Sequence, residues 1–347
     1  MEKTKKLSFK SIYDFLINYS IFIGIVVLVI YTWINNPLFL KNAPLDLLKR
    51  TAAYVVMALG MGCIMLIGGV DLSAGRIMGL TSLIAASLLQ RLDALNRQFP
   101  GMEPWPIICV LLLVIAVGII IGSFNGFLTA KFKIHPFIVT LCTQLMLYGV
   151  MLIYFELGTY KSSSIAHLNS EYKGMIINTV KIGNWAIPNF VWYSIIIGLL
   201  VWIIWKYTGF GKKVRLYGEN HEAAKTLNIN PLSLTVAVFA IAGMLYGFNG
   251  FVEPARVGGS GASAGANAEL DAIAACLIGG VSFKGGVGKV GGIVIGVVLV
   301  QLISVCLQWL SISANIVYII KGGLILWATV IDARRYYSDS GVNIWKW

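Results

Sequence analysis

The chain has 347 residues, of which 58% are hydrophobic and 12% charged, and its formal net charge at pH 7 is +12. Soluble proteins average about 45–50% apolar and about 25% charged residues, so this composition excludes an ordinary water-soluble enzyme and predicts a multi-span membrane protein. The basic residues lie beside apolar segments, where anionic lipid headgroups attract them, so the charge does not indicate a nucleic-acid partner.

Ten apolar segments follow one another along the chain. A transmembrane helix needs roughly 20 apolar residues to cross about 30 Å of hydrocarbon, and the segments approach that length. The third and the eighth are among the short ones. Together the ten segments predict an all-α, polytopic membrane protein with about ten transmembrane helices in a single transmembrane domain over residues 1–347. The predicted spans are 20–34, 51–69, 75–89, 105–130, 136–155, 190–207, 232–251, 268–283, 290–309 and 314–331.

Lysine and arginine are distributed unevenly between the two sides that these spans define. Seventeen of the 27 basic residues, Arg76 among them, fall on the side that holds both termini, 9 fall on the other side, and Lys321 lies inside a span. Cytoplasmic segments carry the excess of positive charge in multi-pass proteins. We therefore predict that both termini are cytoplasmic, that residues 156–189 form an external loop, and that the chain resides in the cytoplasmic membrane.

Asp71 and Arg76 flank a glycine-broken segment between the second and third spans, and two interpretations stay open. In the first, the segment is a tight inner turn in which Asp71 caps the third helix and Arg76 stays near the headgroups. In the second, it is a broken helix whose backbone lines a cavity, because lipid cannot satisfy free backbone groups. Both residues are candidates for the translocation path or its gating.

Charged side chains at membrane depth are costly, so each one is a functional candidate. Lys321 lies in the tenth span at a depth similar to that of Glu269 and Asp271 at the start of the eighth. We predict an ion pair between this lysine and one of the two acids, and the alternative is a lysine that snorkels outward.

Two copies of the sequence FNGF place Asn125 and Asn249 beside aromatic residues and a glycine. In one interpretation these amides contact a polar substrate along the path. In the other they satisfy nearby backbone groups, while the glycines allow helices to pack closely.

The polar loop between the sixth and seventh spans is predicted to contain a short helix. Asn220 is a suitable N-cap, and Glu222 suits the positive first turn. Ala223 and Ala224 are small, strong helix formers, and Leu227 supplies an apolar contact. The segment is therefore predicted to dock on another protein.

Two motifs resemble enzyme signatures, and both lack essential parts. The segment GASAG at 261–265 matches G-x-S-x-G, but all three histidines precede it and no strand is predicted beside it. The segment GGVGKV from Gly285 is not a P-loop, because Phe283 and Val290 stand where the first glycine and the final Ser or Thr would be. The five cysteines lie in apolar spans without metal-ligand spacing. We expect no catalytic residue, metal site or bound cofactor in this chain.

The polar loop, residues 208–231, also resembles a known coupling element. Its EAA at 222–224, preceded by GEN from Gly218, is similar to the EAA loop that seats permeases of ABC importers in a cleft of their ATPase. Asn228 stands where that family usually has glycine. Because Asn is the residue other than glycine that best tolerates a positive φ, we expect the turn to persist.

Longer motifs extend the resemblance to ribose-type sugar permeases of ABC importers over nearly the whole chain. They are GGVDLSAGR from Gly68, FNGFLTAKFKIHPFIVTL from Phe124, ELDAIAACLIGGVSFKGGVG from Glu269 and YIIKGG from Tyr318. The resemblance implies the permease fold of ABC importers, alternating access, and galactose, methyl galactoside or a related monosaccharide as the substrate.

The resemblance also implies partners. These are ABC ATPase subunits that carry the ATP and Mg, an extracytoplasmic sugar-binding protein, and a second permease copy, with Glu253 and Arg256 as candidate contacts to the binding protein. The residues implied to couple to the ATPase are Gly218, Asn220, Glu222, Ala223, Ala224 and Leu227. Two other function classes stay open, an ion- or proton-coupled carrier and an intramembrane enzyme. The sequence offers the first only scattered carboxylates, and the second no credible pair of nucleophile and base.

Overall fold

A computed structural model describes residues 9–94, 96–158, 164–183 and 185–339, and these residues are mostly helical. Within these described ranges, seven helices are long and apolar enough to cross a membrane, and two shorter apolar helical stretches are Ser20–Asn35 and Ala74–Leu88. The helices are α1 (Phe9–Asn35), α2 (Phe39–Met65), α3 (Ala74–Leu88), α4 (Ile107–Phe132), α5 (Pro136–Glu156), α6 (Ser170–Ile177), α7 (Asn189–Tyr207), α8 (Gly209–Glu219), α9 (His221–Thr226), α10 (Pro231–Val257), α11 (Ala268–Ile278), α12 (Val290–Trp309) and α13 (Ala314–Asp339). The chain is thus an all-α polytopic membrane protein, while the count of ten spans and the N-in, C-in orientation stay predictions.

Two predicted spans extend too far, because α2 ends at Met65 and α11 at Ile278. Each helix is followed by a glycine in the left-handed region, Gly68 with φ 77° and Gly280 with φ 80°. The next amide then bonds back across the helix end, from Gly69 N to Ile64 O at 3.1 Å and from Val281 N to Cys276 O at 2.9 Å. This is the Schellman termination. Hydropathy does not detect it, since the turn residues are themselves apolar.

The chain divides into two compact units, residues 1–47 with 299–347 and residues 48–298. In the described part of the first unit, an apolar cluster joins Phe39 and Ala43 of α2 to Val305 and Cys306 of α12. The Trp327 indole of α13 donates to the hydroxyl of Ser20 in α1 at 2.7 Å.

The second unit is built around a close antiparallel pair, α4 and α10. A Cβ on Gly118 would lie 2.1 Å from the carbonyl oxygen of Gly243, and a Cβ on Gly243 would lie 2.1 Å from that of Gly118. Gly122 and Gly247 continue the contact toward either end. Small residues at four-residue spacing let helix backbones meet at this distance, which is the common packing device inside membranes.

The predicted external loop, 156–189, contains regular structure. Strand β1 (Ile165–Ala166) pairs antiparallel with β4 (Gly259–Ser260), and β2 (Thr179–Ile182) forms a hairpin with β3 (Trp185–Pro188). Helix α6 packs on the end of α10, where the Tyr172 hydroxyl donates to the carbonyl of Phe251. These contacts hold α6 and β1 against the C-terminal part of α10 and against β4, the short strand that follows it.

Candidate functional site

The segment 66–73, between α2 and α3, is held by a chain of buried hydrogen bonds. Asp71 Oδ1 accepts from the backbone N of Ser73 at 2.8 Å and from its hydroxyl at 2.6 Å. The Ser73 hydroxyl in turn accepts from the Asn125 amide at 2.9 Å, and Asn125 Oδ1 accepts from the Thr143 hydroxyl at 2.7 Å. The four side chains are 0–3% exposed. This network ties the N-terminus of α3 to α4 and α5, and the role of Asn125 in the path stays a prediction.

Thr140 of α5 fastens the same segment at a second point. Its hydroxyl oxygen accepts from the backbone N of Leu72 at 3.1 Å and lies 2.9 Å from the Pro136 carbonyl, to which the hydroxyl donates. Among the described residues, Oδ2 of Asp71 has no hydrogen-bond partner. Irregular backbone in the membrane persists only where protein or enclosed water satisfies it. Here Thr140 of α5 satisfies the backbone at Leu72, and Asp71 satisfies it at Ser73.

A second polar group forms at the middle of α5. The Arg76 guanidinium carbon lies 4.4 Å from the ring centroid of Tyr148, within cation–π distance, and its Nη1 lies 3.4 Å from the carbonyl of Ala262. One turn earlier on α5, the Gln144 amide donates to Glu269 Oε1 at 3.2 Å. Glu269 is 3% exposed, and its Oε2 has no hydrogen-bond partner among the described residues.

The position of Arg76 corrects one sequence interpretation. Tyr148 and Gln144 lie two residues either side of Met146, the central residue of α5, so they are within about 3 Å of mid-span at 1.5 Å per residue. Arg76 therefore lies at mid-depth rather than near the headgroups, because α3 begins inside the bundle. The excess of basic residues on the inner side does not depend on it.

The loop between α10 and α11 runs along α3 at the same depth. A Cβ on Gly265 would lie 1.9 Å from the Gly75 carbonyl oxygen, and one on Gly79 would lie 2.3 Å from the Ala264 carbonyl oxygen. Gly265 also has φ 73°, a value that favours glycine. The GASAG segment is thus a glycine-dependent turn packed on α3. Contrary to the sequence expectation that no strand lies beside it, the two-residue strand β4 (Gly259–Ser260) directly precedes it.

The remaining residues predicted for the path have other surroundings. Asn249 contacts Met78 of α3, with its amide 3.1 Å from the thioether sulfur. Asp271 is buried in α11, two residues after Glu269 and near Tyr54 of α2. Lys321 belongs to the other compact unit, so its ion pair with Glu269 or Asp271 stays a prediction.

Glu253 and Arg256, predicted to contact a binding protein, form an ion pair with each other. Their carboxylate and guanidinium meet at 2.7 Å and 2.9 Å across one turn of α10, with side chains 20% and 25% exposed. Their contact with a binding protein stays a prediction.

The polar loop folds as two helices, α8 and α9. Asn220 caps α9, because its Oδ1 accepts from the backbone N of Glu222 at 2.9 Å and of Ala223 at 3.0 Å. The ammonium of Lys225, 2.6 Å away, lowers the pKa of the exposed Glu222 carboxyl. Ala224 is buried at 1% exposure, whereas Leu227 remains 60% exposed. Helix α9 therefore presents Glu222, Ala223 and Leu227 outward and uses Ala224 to pack on its own chain.

Asn228 ends α9 as the sequence predicts. Its φ is 55°, and the backbone N of Ile229 reaches the carbonyl of Ala224 at 3.1 Å. The left-handed turn that usually calls for glycine is thus retained.

Gly218 connects this pair of helices to the rest of the second unit. A Cβ at Gly218 would lie 1.8 Å from the carbonyl oxygen of Leu66 and 2.6 Å from the backbone N of Gly286, and these two groups bond each other at 2.9 Å. Gly285 and Gly286 both have positive φ. The GGVGKV segment therefore forms a turn that clamps α8 against the start of segment 66–73.

A cavity of about 580 Å³ lies beside this contact in the second unit. Tyr217, His221, Glu222 and Lys225 of α8 and α9 line one side. The remaining wall includes Gly68, the 129–136 turn between α4 and α5, and Lys284. The region around α9 is thus a basic recess rather than a flat surface.

Sequence reasoning missed several members of the two polar groups. They are Ser73, Thr140, Thr143, Gln144 and Tyr148. A signal was available, because the four α5 residues follow one another at spacings of three, one and four positions. Such spacings place them on one face of a helix, where they form a polar stripe on an otherwise apolar span.

The chain is similar to known transport proteins over most of its length. The family model described as "Branched-chain amino acid transport system / permease component" matches residues 43–329. The chain belongs to this permease family. It is therefore a transport permease and a multi-pass protein of the cytoplasmic membrane.

Individual relatives extend over nearly the full length of the permease. The galactose/methyl galactoside import permease protein MglC of Salmonella typhimurium is 36% identical over 95% of this chain and 98% of its own length. The protein of that name from Haemophilus influenzae is 37% identical over 93% and 96%. The ribose import permease protein RbsC of Haemophilus influenzae is 32% identical over 92% and 94%. No solved structure matches the chain significantly.

Proposed function

We propose that this permease is the transmembrane subunit of an ATP-driven ABC importer that carries galactose, methyl galactoside or a related monosaccharide. Helix α9 would dock on a separate ATPase, which supplies ATP and Mg. A sugar-binding protein would deliver the substrate outside, and a second copy of the permease would complete the channel. The relatives named for galactose and methyl galactoside import support the substrate class.

The observation that carries the proposal is the backbone contact at Gly218. If ATP-driven closure of the ATPase is to drive transport, the docked helix must move the membrane-spanning helices. The ATPase can shift the permease between two states only if it binds those states with different affinities. Gly218 offers such a connection, because it leaves no side chain between α8 and Leu66. Segment 66–73 then leads directly into α3 and the two polar groups.

The residues proposed for the path or its gating remain those of the sequence, Asp71, Arg76, Asn125, Asn249, Glu269, Asp271 and Lys321. A proton-coupled carrier is the competing function. It predicts uptake that collapses with an uncoupler while ATP is held constant, whereas the ABC proposal predicts uptake that survives.

Reconstitution tests the proposal directly. The permease is placed in proteoliposomes with its candidate ATPase and binding protein, and ATP hydrolysis and uptake are measured with galactose, methyl galactoside, glucose and ribose. We expect galactose or methyl galactoside to stimulate both activities. Stimulation by none of the sugars would overturn the substrate class, and uptake without ATP would overturn the coupling.

A further inference from the structure

Arg76, Gln144, Tyr148, Glu269 and the loop 262–267 meet on one surface, which we call the mid-span face. Gln144 and Tyr148 flank the central residue of α5, and Arg76 contacts both Tyr148 and Ala262. The surface is open: the Tyr148 side chain is 39% exposed, and Ser263, Ala266 and Asn267 are exposed as well. Polar groups are thus accessible at the centre of a transmembrane span.

Two independent costs keep lipid away from the mid-span face. Charged side chains at the bilayer centre face a bundle interior or a water-filled cavity, because hydrocarbon cannot solvate them. Irregular backbone exposed to lipid does not occur at this depth, since its amides and carbonyls would lack partners. The face carries both features, so it lines an aqueous path.

The chemistry of the mid-span face suits a neutral, hydroxyl-rich solute. Arg76 and Glu269 contribute opposite charges, so the face carries no excess of positive or negative charge that would select an ion. Arg76 and Gln144 supply N–H donors, and the buried Glu269 carboxylate accepts from the Gln144 amide and so orients it. The Tyr148 ring offers a flat apolar surface beside its hydroxyl, as the C–H face of a pyranose requires.

We propose that the mid-span face is a sugar-contacting site inside the membrane, with the Tyr148 ring as its apolar platform, Arg76 and Gln144 as its hydroxyl partners, and Glu269 as the buried residue that positions Gln144. This inference rests on the proposed function and extends it, since it locates recognition in the permease as well as in the binding protein. Glu269 also lies against Gly75 at the start of α3, so sugar contact and the position of α3 are linked through one carboxylate.

Cysteine accessibility tests the site in the assembled complex. Cys109 and Cys142 are the exposed thiols of the chain, so both are first changed to Ser. Tyr148→Cys and, separately, Gln144→Cys are then labelled with a charged, membrane-impermeant thiol reagent, with galactose or with a sugar that the complex does not import. Met146→Cys is the matched control, because Met146 is 54% exposed on α5 but lies about 200° around the helix from Gln144.

We expect galactose to slow labelling of Tyr148→Cys and Gln144→Cys by about fivefold, the effect of one to two hydrogen bonds. Labelling of Met146→Cys should be the same with either sugar. Import measurements should agree, with Tyr148→Leu importing about fivefold more slowly than Tyr148→Phe, which keeps the ring.

The outcomes distinguish the mid-span site from the proposed function. If the wild-type complex imports none of the sugars, both the proposed function and the mid-span site are overturned. If it imports galactose while the two cysteines either resist the reagent or react equally with and without galactose, only the mid-span site is overturned.

Discussion

The buried hydrogen bonds from Asp71 to Thr143 show what single residues contribute to the second unit. Ser73 and Asn125 each bond a neighbour on either side. The direction of donation is fixed along the network because the Asp71 carboxylate at one end can only accept. A residue removed from the chain leaves its neighbour buried and unsatisfied, which costs more than the hydrogen bond itself contributes.

At the residue scale, Thr143→Val should therefore destabilise the permease by about 1 kcal/mol, a typical value for hydrogen bonds between membrane helices. Valine keeps the volume but leaves Asn125 Oδ1 without its donor. Resistance to unfolding by SDS measures the effect in purified protein.

Thr329→Val is the matched control for this prediction. The Thr329 hydroxyl bonds only its own helix at Ile325 O in α13, so its loss leaves no side chain elsewhere without a partner. Equal stability of the two variants would mean that the network contributes nothing at Thr143.

At the scale of elements, the pairing of α4 with α10 sets the position of everything that α3 contacts. The two helices touch through backbone atoms at Gly118 and Gly243, and further contacts follow at Gly122 and Gly247. A side chain at any of these positions has no room unless one whole helix moves, since a packed helix shifts as a unit.

Gly243→Val is expected to lower the yield of folded, monodisperse protein and to destabilise it by about 3 kcal/mol or more, the upper range for overpacking. The cause is the Cβ position 2.1 Å from the Gly118 carbonyl oxygen. Size-exclusion profiles and thermal unfolding in detergent measure both quantities.

Gly149→Val in α5 serves as the control, because a Cβ there meets nothing within 4 Å. If Gly243→Val proved as stable as Gly149→Val, the close helix contact would be dispensable.

At the scale of the whole molecule, the second unit contains an unbroken line of contacts from α9 to the mid-span face. It runs from α8 at Gly218 to Leu66, through segment 66–73 to Ser73, and along the first turn of α3 to Arg76. Coupling between distant sites requires physical continuity of this kind, and only a perturbation within it shows that the line carries energy.

Gly218→Ala should therefore separate docking from transport. The variant should co-purify with the ATPase, because the outward residues of α9 are unchanged, but import per ATP hydrolysed should fall about tenfold, within the range that coupling residues give. The comparison variant Glu222→Lys changes the docking surface instead and should release the ATPase.

Gly209→Ala at the start of α8 is the control, since its added Cβ meets nothing within 4 Å. Normal coupling in Gly218→Ala would show that the Leu66 contact does not transmit the ATPase movement.

The sequence by itself determined the properties that depend on local chemistry. The apolar segments alone indicated the membrane and the helices, since a buried backbone in lipid must be helical. The cap at Asn220 and the left-handed turn at Asn228 followed from the side chains themselves, because both involve residues within a few positions. The family followed from motifs along the chain.

Only the tertiary structure decided which polar residues meet. The sequence left Arg76 between an inner turn near the headgroups and a broken helix that lines a cavity, and the structure places it beside the middle of α5. Its depth depends on where α2 ends, and an apolar glycine turn ends that helix without a change in hydropathy. Gln144 and Tyr148 gained significance only from the loop and helix packed against them. Helix packing joins residues more than 100 positions apart, and no local pattern encodes that distance.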